Sequence, residues 1–256
     1  MVHDLLYTIV RWVSAALLLA AASSPALAQG LTVGTDSSLG EAMQAVARGF
    51  EAARPGVRVE WRVGAPGALL EQIAGGVPVD VLAGADAQTV AMGVQRRLLV
   101  PELRSVFASN ALVLVVPASL NLPVRRLSDL ARPEVVRIAM GREASVPAGR
   151  YAREAINAQR MWPAVQRKVV VGQDVREVLD LVAAAEVEAG FVFATDARTA
   201  ADRVRVVETL PTTTPIRYLA NVAVGSKNPA LASEFVAYLR SDSARAVFER
   251  FGFGVP

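Results

Sequence analysis

Several places in this chain set a helix-starting residue after a strand pattern, among them Ser38 ahead of Leu39, Asp86, Pro147-Ala148 and Asp174-Val175. Ser38 and Asp174 are of the types that cap helix N-termini, and Pro147 suits a first helical position. A helix N-terminus presents N–H groups with no helical acceptor and about half a positive charge. Several such termini turned toward one cleft would hold a small anion. The residues offer catalysis much less. His3 is the only histidine and there is no cysteine. Without His3, the chain has no Ser-His-Asp or Cys-His nucleophile, no Cys/His zinc site and no disulfide. Asp80 and Asp86 lie near strand ends but lack an identifiable His or Lys partner, and Asp86 opens a helix, so both read as structural. No catalytic residue and no directly coordinating metal ligand is assigned. Asp36 reads as a turn residue holding the Gly34–Ser38 loop; facing the cleft, its carboxylate would repel a dianion.

The loss of His3 follows from the N-terminus. Arg11, the uncharged apolar stretch Trp12–Ala22, a break at Ser23-Ser24-Pro25 and the small-x-small site Ala26-Leu27-Ala28 read as an export signal, residues 1–28, cleaved before Gln29. The apolar stretch is far short of the ~20 residues that span a bilayer. A soluble mature chain of 228 residues is expected in the periplasm, enough for one large domain or two modest ones. Net charge is +3, with Arg supplying 25 of the 27 basic residues. Those residues mix with acids (Arg150, Arg153, Glu154; Asp174, Arg176, Glu177), as on an ordinary solvated surface. No basic stripe interleaved with aromatics supports nucleic-acid binding. Trp61 and Trp162 read as packing residues.

Alternating β-branched runs and amphipathic patterns imply an α/β fold with mainly parallel strands. Strands are expected at Leu31–Val33, Val57–Val63, Val79–Leu82, Ala111–Pro117, Val136–Ala139, Lys168–Val171, Gly190–Val192, Arg203–Glu208 and Ile216–Val224. Helices are expected over Leu39–Ala53, Ala68–Ala74, from Asp86 to near Arg97, Ala148–Gln159, Val175–Ala185 and Pro229–Phe251. Met43, Val46, Ala47 and Phe50 form an inward helical face, as do Leu231, Phe235, Val236 and Leu239. The chain shows no linker, so two lobes would be joined by strands crossing near Asn110–Leu112 and Tyr218–Ala220. The division expected is residues 29–110 with 220–256 in one lobe and 111–219 in the other.

Several ordered segments carry a family resemblance. Val146-Pro147-Ala148-Gly149-Arg150-Tyr151-Ala152-Arg153-Glu154-Ala155 resembles the VPAGxYAxEA segment of periplasmic molybdate-binding proteins. Gln173-Asp174-Val175-Arg176 is similar to their EDVR, Ala189–Phe193 with Asp196-Ala197 to their LGIVYxSDA, and Phe248–Phe253 to their FxxYGF. Ser38-Leu39, Pro78-Val79-Asp80 and Ala85-Asp86 match in place and order. The likeness runs from about Leu31 to Phe253. It implies the two-lobed type II solute-binding fold, each lobe a mostly parallel sheet flanked by helices, with the ligand cleft between them.

The resemblance further implies that Ser38 offers a hydroxyl and an N–H to a tetrahedral oxyanion, and Ala148 and Val175 their amides. Two family ligand positions depart. The second serine aligns with Pro66, which has no N–H, and the ligand tyrosine aligns with Phe193, which has no phenol. Each lost charge-assisted bond is worth ~1.5–3 kcal/mol. Gly67, Ser37 and Thr35 are donors placed to compensate. The implied function is a receptor that needs no cofactor, binds molybdate or tungstate and works, as a monomer, with a membrane-embedded ABC permease. The alternatives are another small anion or organic solute on the same fold, or an enzyme or effector-sensing domain. The export signal and the lack of a preceding helix-turn-helix oppose the last.

Overall fold

A computed structural model describes residues 29–256, so the export signal expected at residues 1–28 lies outside the described residues. In the first half, β1 (Gln29–Asp36), β2 (Val57–Gly64) and β3 (Val81–Gly84) are linked by α1 (Gly40–Ala52) and α2 (Pro66–Ala74), and α3 (Ala87–Gln95) leads into β4 (Leu99–Asn110). The chain then enters a second sheet. Its elements are β5 (Leu112–Pro117), β6 (Ile138–Gly141), α4 (Pro147–Ala158), α5 (Trp162–Val165), β7 (Val169–Gly172), α6 (Val175–Ala183), β8 (Ala189–Phe193), α7 (Ala194–Thr199) and β9 (Val204–Leu210). Strand β10 (Ile216–Ala223) returns to the first sheet, and α8 (Pro229–Tyr238) and α9 (Asp242–Arg250) close the chain.

The two five-stranded sheets have matching orders, β2-β1-β3-β10-β4 and β7-β6-β8-β5-β9. In each, three strands run parallel, a crossing strand (β10 or β5) runs against them, and an outer strand pairs antiparallel with the crossing one. Parallel strands need crossover helices on the sheet faces, which buries the strands on both sides. Every residue of β5 is buried accordingly. The apolar faces read from spacing pack inward: Met43, Val46, Ala47 and Phe50 of α1, and Leu231, Phe235 and Val236 of α8 with Leu239 just beyond it, are all buried. Phe50 meets Phe235 edge-to-face at 5.1 Å, fastening α1 to α8.

The fold corrects several details. Strand β4 lies where no strand is expected. The C-terminal helix is two helices, broken where Ser241 caps α9 by accepting from the Ala244 N–H at 3.3 Å. Strands β3 and β6 begin two residues later than expected. Ile216, Arg217, Tyr218 and Leu219, expected in the second lobe, pair with β4 in the first sheet, because β10 already begins at Ile216 opposite Asn110.

Close approach of backbone defines one glycine of α4. A Cβ on Gly149 would lie 2.0 Å from the Gly141 carbonyl oxygen, where rigid backbone of β6 cannot withdraw. Gly149→Ala is therefore expected to lower stability by about 3 kcal/mol or more, beyond the usual range for overpacking. Chemical denaturation would register this as a lower midpoint at unchanged slope.

Candidate functional site

The cleft is built from the turn that follows β1. Asp36 ends the strand, and its Oδ1 accepts from the backbone N–H of Ser38 at 3.1 Å and the Ser38 hydroxyl at 3.0 Å, winding Ser37–Leu39 into a single three-ten turn. Asp36 is thus the turn residue that its type suggests, but it also points inward, being 2% exposed. Three polar atoms of this turn are buried without a protein hydrogen-bond partner: Thr35 Oγ1, Asp36 Oδ2 and Ser37 Oγ.

A relay of side chains reaches this turn from the interlobe crossings. Asn110, the last residue of β4, donates through Nδ2 to the Tyr218 hydroxyl at 3.1 Å and to Thr195 Oγ1 at 2.8 Å. The Tyr218 and Ser38 hydroxyls are 3.0 Å apart. Ser38 has one hydroxyl proton and gives it to Asp36, so Tyr218 donates to Ser38. The protons run from Asn110 through Tyr218 and Ser38 toward Asp36. The sequence locates these crossings but not the relay, since a hydrogen bond between residues 180 positions apart leaves no local pattern.

The second lobe supplies the opposing wall. The Ser37–Leu39 turn packs against α6, which begins at Val175 after its cap Asp174 has accepted from the Arg176 and Glu177 amides at 2.8 and 3.1 Å. Pro147 opens α4 with Ala148 next in its first turn. The Ala148 and Val175 amides stand where no earlier helical carbonyl is available, and both residues are buried. Pro66 opens α2 and is buried, its ring set close against Gly84. The Gly67 N–H donates across the cleft to the Ser145 carbonyl at 3.0 Å, an interlobe bond rather than a free donor. Phe193 is fully buried, its ring centroid 6.0 Å from that of Tyr218, and its N–H donates to Asp196 Oδ2 at 3.3 Å. A phenol thus stands beside Phe193 after all, on β10 rather than β8.

A second contact latches the lobes together. Arg150 of α4 reaches across to Asp86, the cap of α3, and to Thr89 Oγ1 at 3.0 Å, while its other nitrogen donates to the Glu143 carbonyl at 2.8 Å. The Arg150 and Asp86 side chains are 13% and 4% exposed. This corrects the reading of Arg150 as a solvated surface residue. Arg176 departs from that reading too, its Nε 3.1 Å from the buried Asp196. Asp80 is structural, accepting from Thr32 N, Ser226 Oγ and Lys227 N. Trp162 lies under the Arg153 guanidinium, which sits 3.3 Å from its ring centroid, a packing contact.

Burial governs the charges here. It pushes the Asp36 carboxyl up to about 6, against the Ser38 donors and, more weakly, the Ala85 amide, which lies outside hydrogen-bonding geometry. Burial also pushes Asp196 up to about 7, opposed by Arg176 and reinforced by Asp36. The Tyr218 phenol is raised well above its ordinary value, by burial and then by Asp36 and Asp196.

Two similar sheets joined by paired crossings, with helix N-termini and buried hydroxyls on the facing walls, define a two-lobed binding protein of the periplasmic type. The family described as bacterial extracellular solute-binding protein matches residues 31–254, and the chain belongs to it. It is 33% identical to a putative ABC transporter substrate-binding lipoprotein, YvgL, of Bacillus subtilis, over 87% of this chain and 85% of that protein. It is 31% identical to the molybdate-binding protein ModA of Haemophilus influenzae, over 94% and 96% of the two chains. In three dimensions the periplasmic molybdate-binding protein of Azotobacter vinelandii superposes with a TM-score of 0.76 at 20% identity, covering 88% of this chain and 99% of that one.

Proposed function

We propose that this protein is an exported receptor that captures a tetrahedral oxyanion, molybdate or tungstate before others, and delivers it as a monomer to a membrane-embedded ABC permease. One observation carries the reading. Two hydroxyls of the Thr35–Ser38 turn are buried without a protein partner, and that turn packs against α6, whose first turn, like that of α4, offers amides to a guest. Neutral donors suit such a guest, because each hydrogen bond to a charged group contributes ~1.5–3 kcal/mol. The relatives named for molybdate support the choice of guest, and those described as ABC transporter proteins support the choice of partner. Export with cleavage after Ala28 belongs to the same reading; N-terminal sequencing of the secreted form checks it. Calorimetric titration of the mature protein with molybdate, tungstate, sulfate and phosphate is expected to give saturable heat with the first two. Silence with all four would sink the proposal. A second reading keeps the site but changes the guest to another small anion or organic solute, and the buried carboxylate of Asp36 favours it. A thermal shift seen with molybdate and tungstate alone would exclude it.

A further inference from the structure

The two donors that Ser38 would offer an oxyanion are already committed. Asp36 Oδ1 holds both the N–H and the hydroxyl of Ser38, and the relay from Asn110 and Tyr218 points its protons the same way. The other oxygen, Oδ2, is buried without a partner, as are the Ser37 and Thr35 hydroxyls. An ionised carboxylate only accepts hydrogen bonds, and so does a fully deprotonated oxyanion. Two such groups cannot share a buried wall without repulsion that low polarity amplifies. A proton on Oδ2 changes the arrangement, since the carboxyl then donates to the guest while Oδ1 continues to hold the turn.

We infer that Asp36 couples ligand capture to one proton, held between its free Oδ2 and the bound oxyanion and supplied either by the carboxyl or by a guest that arrives protonated. The inference rests on the oxyanion reading above and deepens it into a selectivity rule. Molybdate and tungstate carry no proton at neutral pH, so their binding must draw one from solution. Hydrogen phosphate brings its own. Repulsion from Asp86, and between Asp36 and Asp196, favours retention of that proton. Asp86 stands at the cap of α3 with its charge met by Arg150, Asp196 lies on α7 with its charge met by Arg176, Asp174 caps α6, and Tyr218 is neutral. No cation contacts Asp36 itself among the described residues. Burial already raises this carboxyl to about 6.

The test is calorimetry on the mature protein from pH 5.5 to 8.5, in pairs of buffers with different ionisation heats, using sodium molybdate and sodium phosphate. For molybdate we expect uptake of nearly one proton per ion bound at pH 8, and affinity that falls about tenfold per pH unit above the range where Asp36 titrates. Phosphate binding at pH 8 should take up almost none. Asp36→Asn keeps the oxygen that holds Ser38 and carries permanent N–H donors, so it should bind molybdate with no proton uptake and a flat pH profile. Molybdate binding by the unaltered protein without proton uptake, at an affinity constant from pH 6 to 8, overturns the inference while leaving the oxyanion reading intact. Heat from neither anion with either protein, at any pH, overturns both.

Discussion

Arg150→Ala is expected to weaken ligand binding by about 100- to 3000-fold while leaving the unliganded protein almost as stable as before. The Arg150–Asp86 pair joins the lobes and is nearly excluded from water. Removing one partner of a buried pair costs ~3–5 kcal/mol, because the other charge is left without compensation. In this position the cost falls on closure, since opening of the cleft would let water reach Asp86. Each ~1.4 kcal/mol withheld from the closed form lowers affinity tenfold. Arg150→Lys should recover little, because a lysine cannot reproduce the fork that reaches Asp86, Thr89 and the Glu143 carbonyl together. Asp86→Asn in the Arg150→Ala background should recover most of the loss, as the asparagine still caps α3 and carries no charge. Titration calorimetry on the unaltered protein, Arg150→Ala, Asp86→Asn and the double variant completes the cycle. Unchanged affinity in Arg150→Ala would show that the latch contributes nothing to closure.

Gly67→Ala reaches the same equilibrium by volume rather than charge. Alanine ordinarily improves a helix over glycine by nearly 1 kcal/mol, and Gly67 lies in the first turn of α2. Its added Cβ, however, would sit 2.6 Å from the Cα and 3.0 Å from the carbonyl oxygen of Ser145, both backbone atoms of the opposite lobe. Relief requires the lobes to part, which also breaks the Gly67–Ser145 hydrogen bond. Overpacking at ~1–3 kcal/mol plus a hydrogen bond at ~0.5–1.5 kcal/mol gives a loss of about 10- to 1000-fold in affinity. The melting temperature of the unliganded protein should hold or rise slightly, because an open cleft leaves the methyl unopposed. A lower unliganded melting temperature with intact binding would place the strain inside the first lobe instead.

These two residues mark the limit of what the sequence makes legible. Helices α1 and α8 are readable because their buried positions recur every three or four residues, and β5 because its run of apolar residues is unbroken. Strand β4 escapes notice because it is an outermost strand. Pro101, Glu102 and Arg104 are tolerable there, since one side of an edge strand needs no ladder partner. The break at Ser241 does carry a local signal, a capping serine followed by an acidic first turn, but the apolar spacing on both sides conceals it. The proposed ligand positions Ser38, Ala148 and Val175 are picked out because their segments match a family pattern in order and spacing, and the helix starts at these points have residue signatures of their own. The inward aim of Asp36, the Tyr218 relay and the placement of Arg150 opposite Asp86 depend on how two distant lobes meet, and nothing in the neighbouring residues encodes that.

The position of β10 inside the first sheet, between β3 and β4, also sets the order in which the molecule can be assembled. All five strands of the second sheet come from one continuous stretch, which ends at Leu210. The first sheet has four strands available by Asn110, yet β4 has no neighbour in it until β10 arrives more than a hundred residues later. A chain threaded from its N-terminus therefore completes its middle before its beginning. The first lobe stays an unfinished surface until the last strand has emerged.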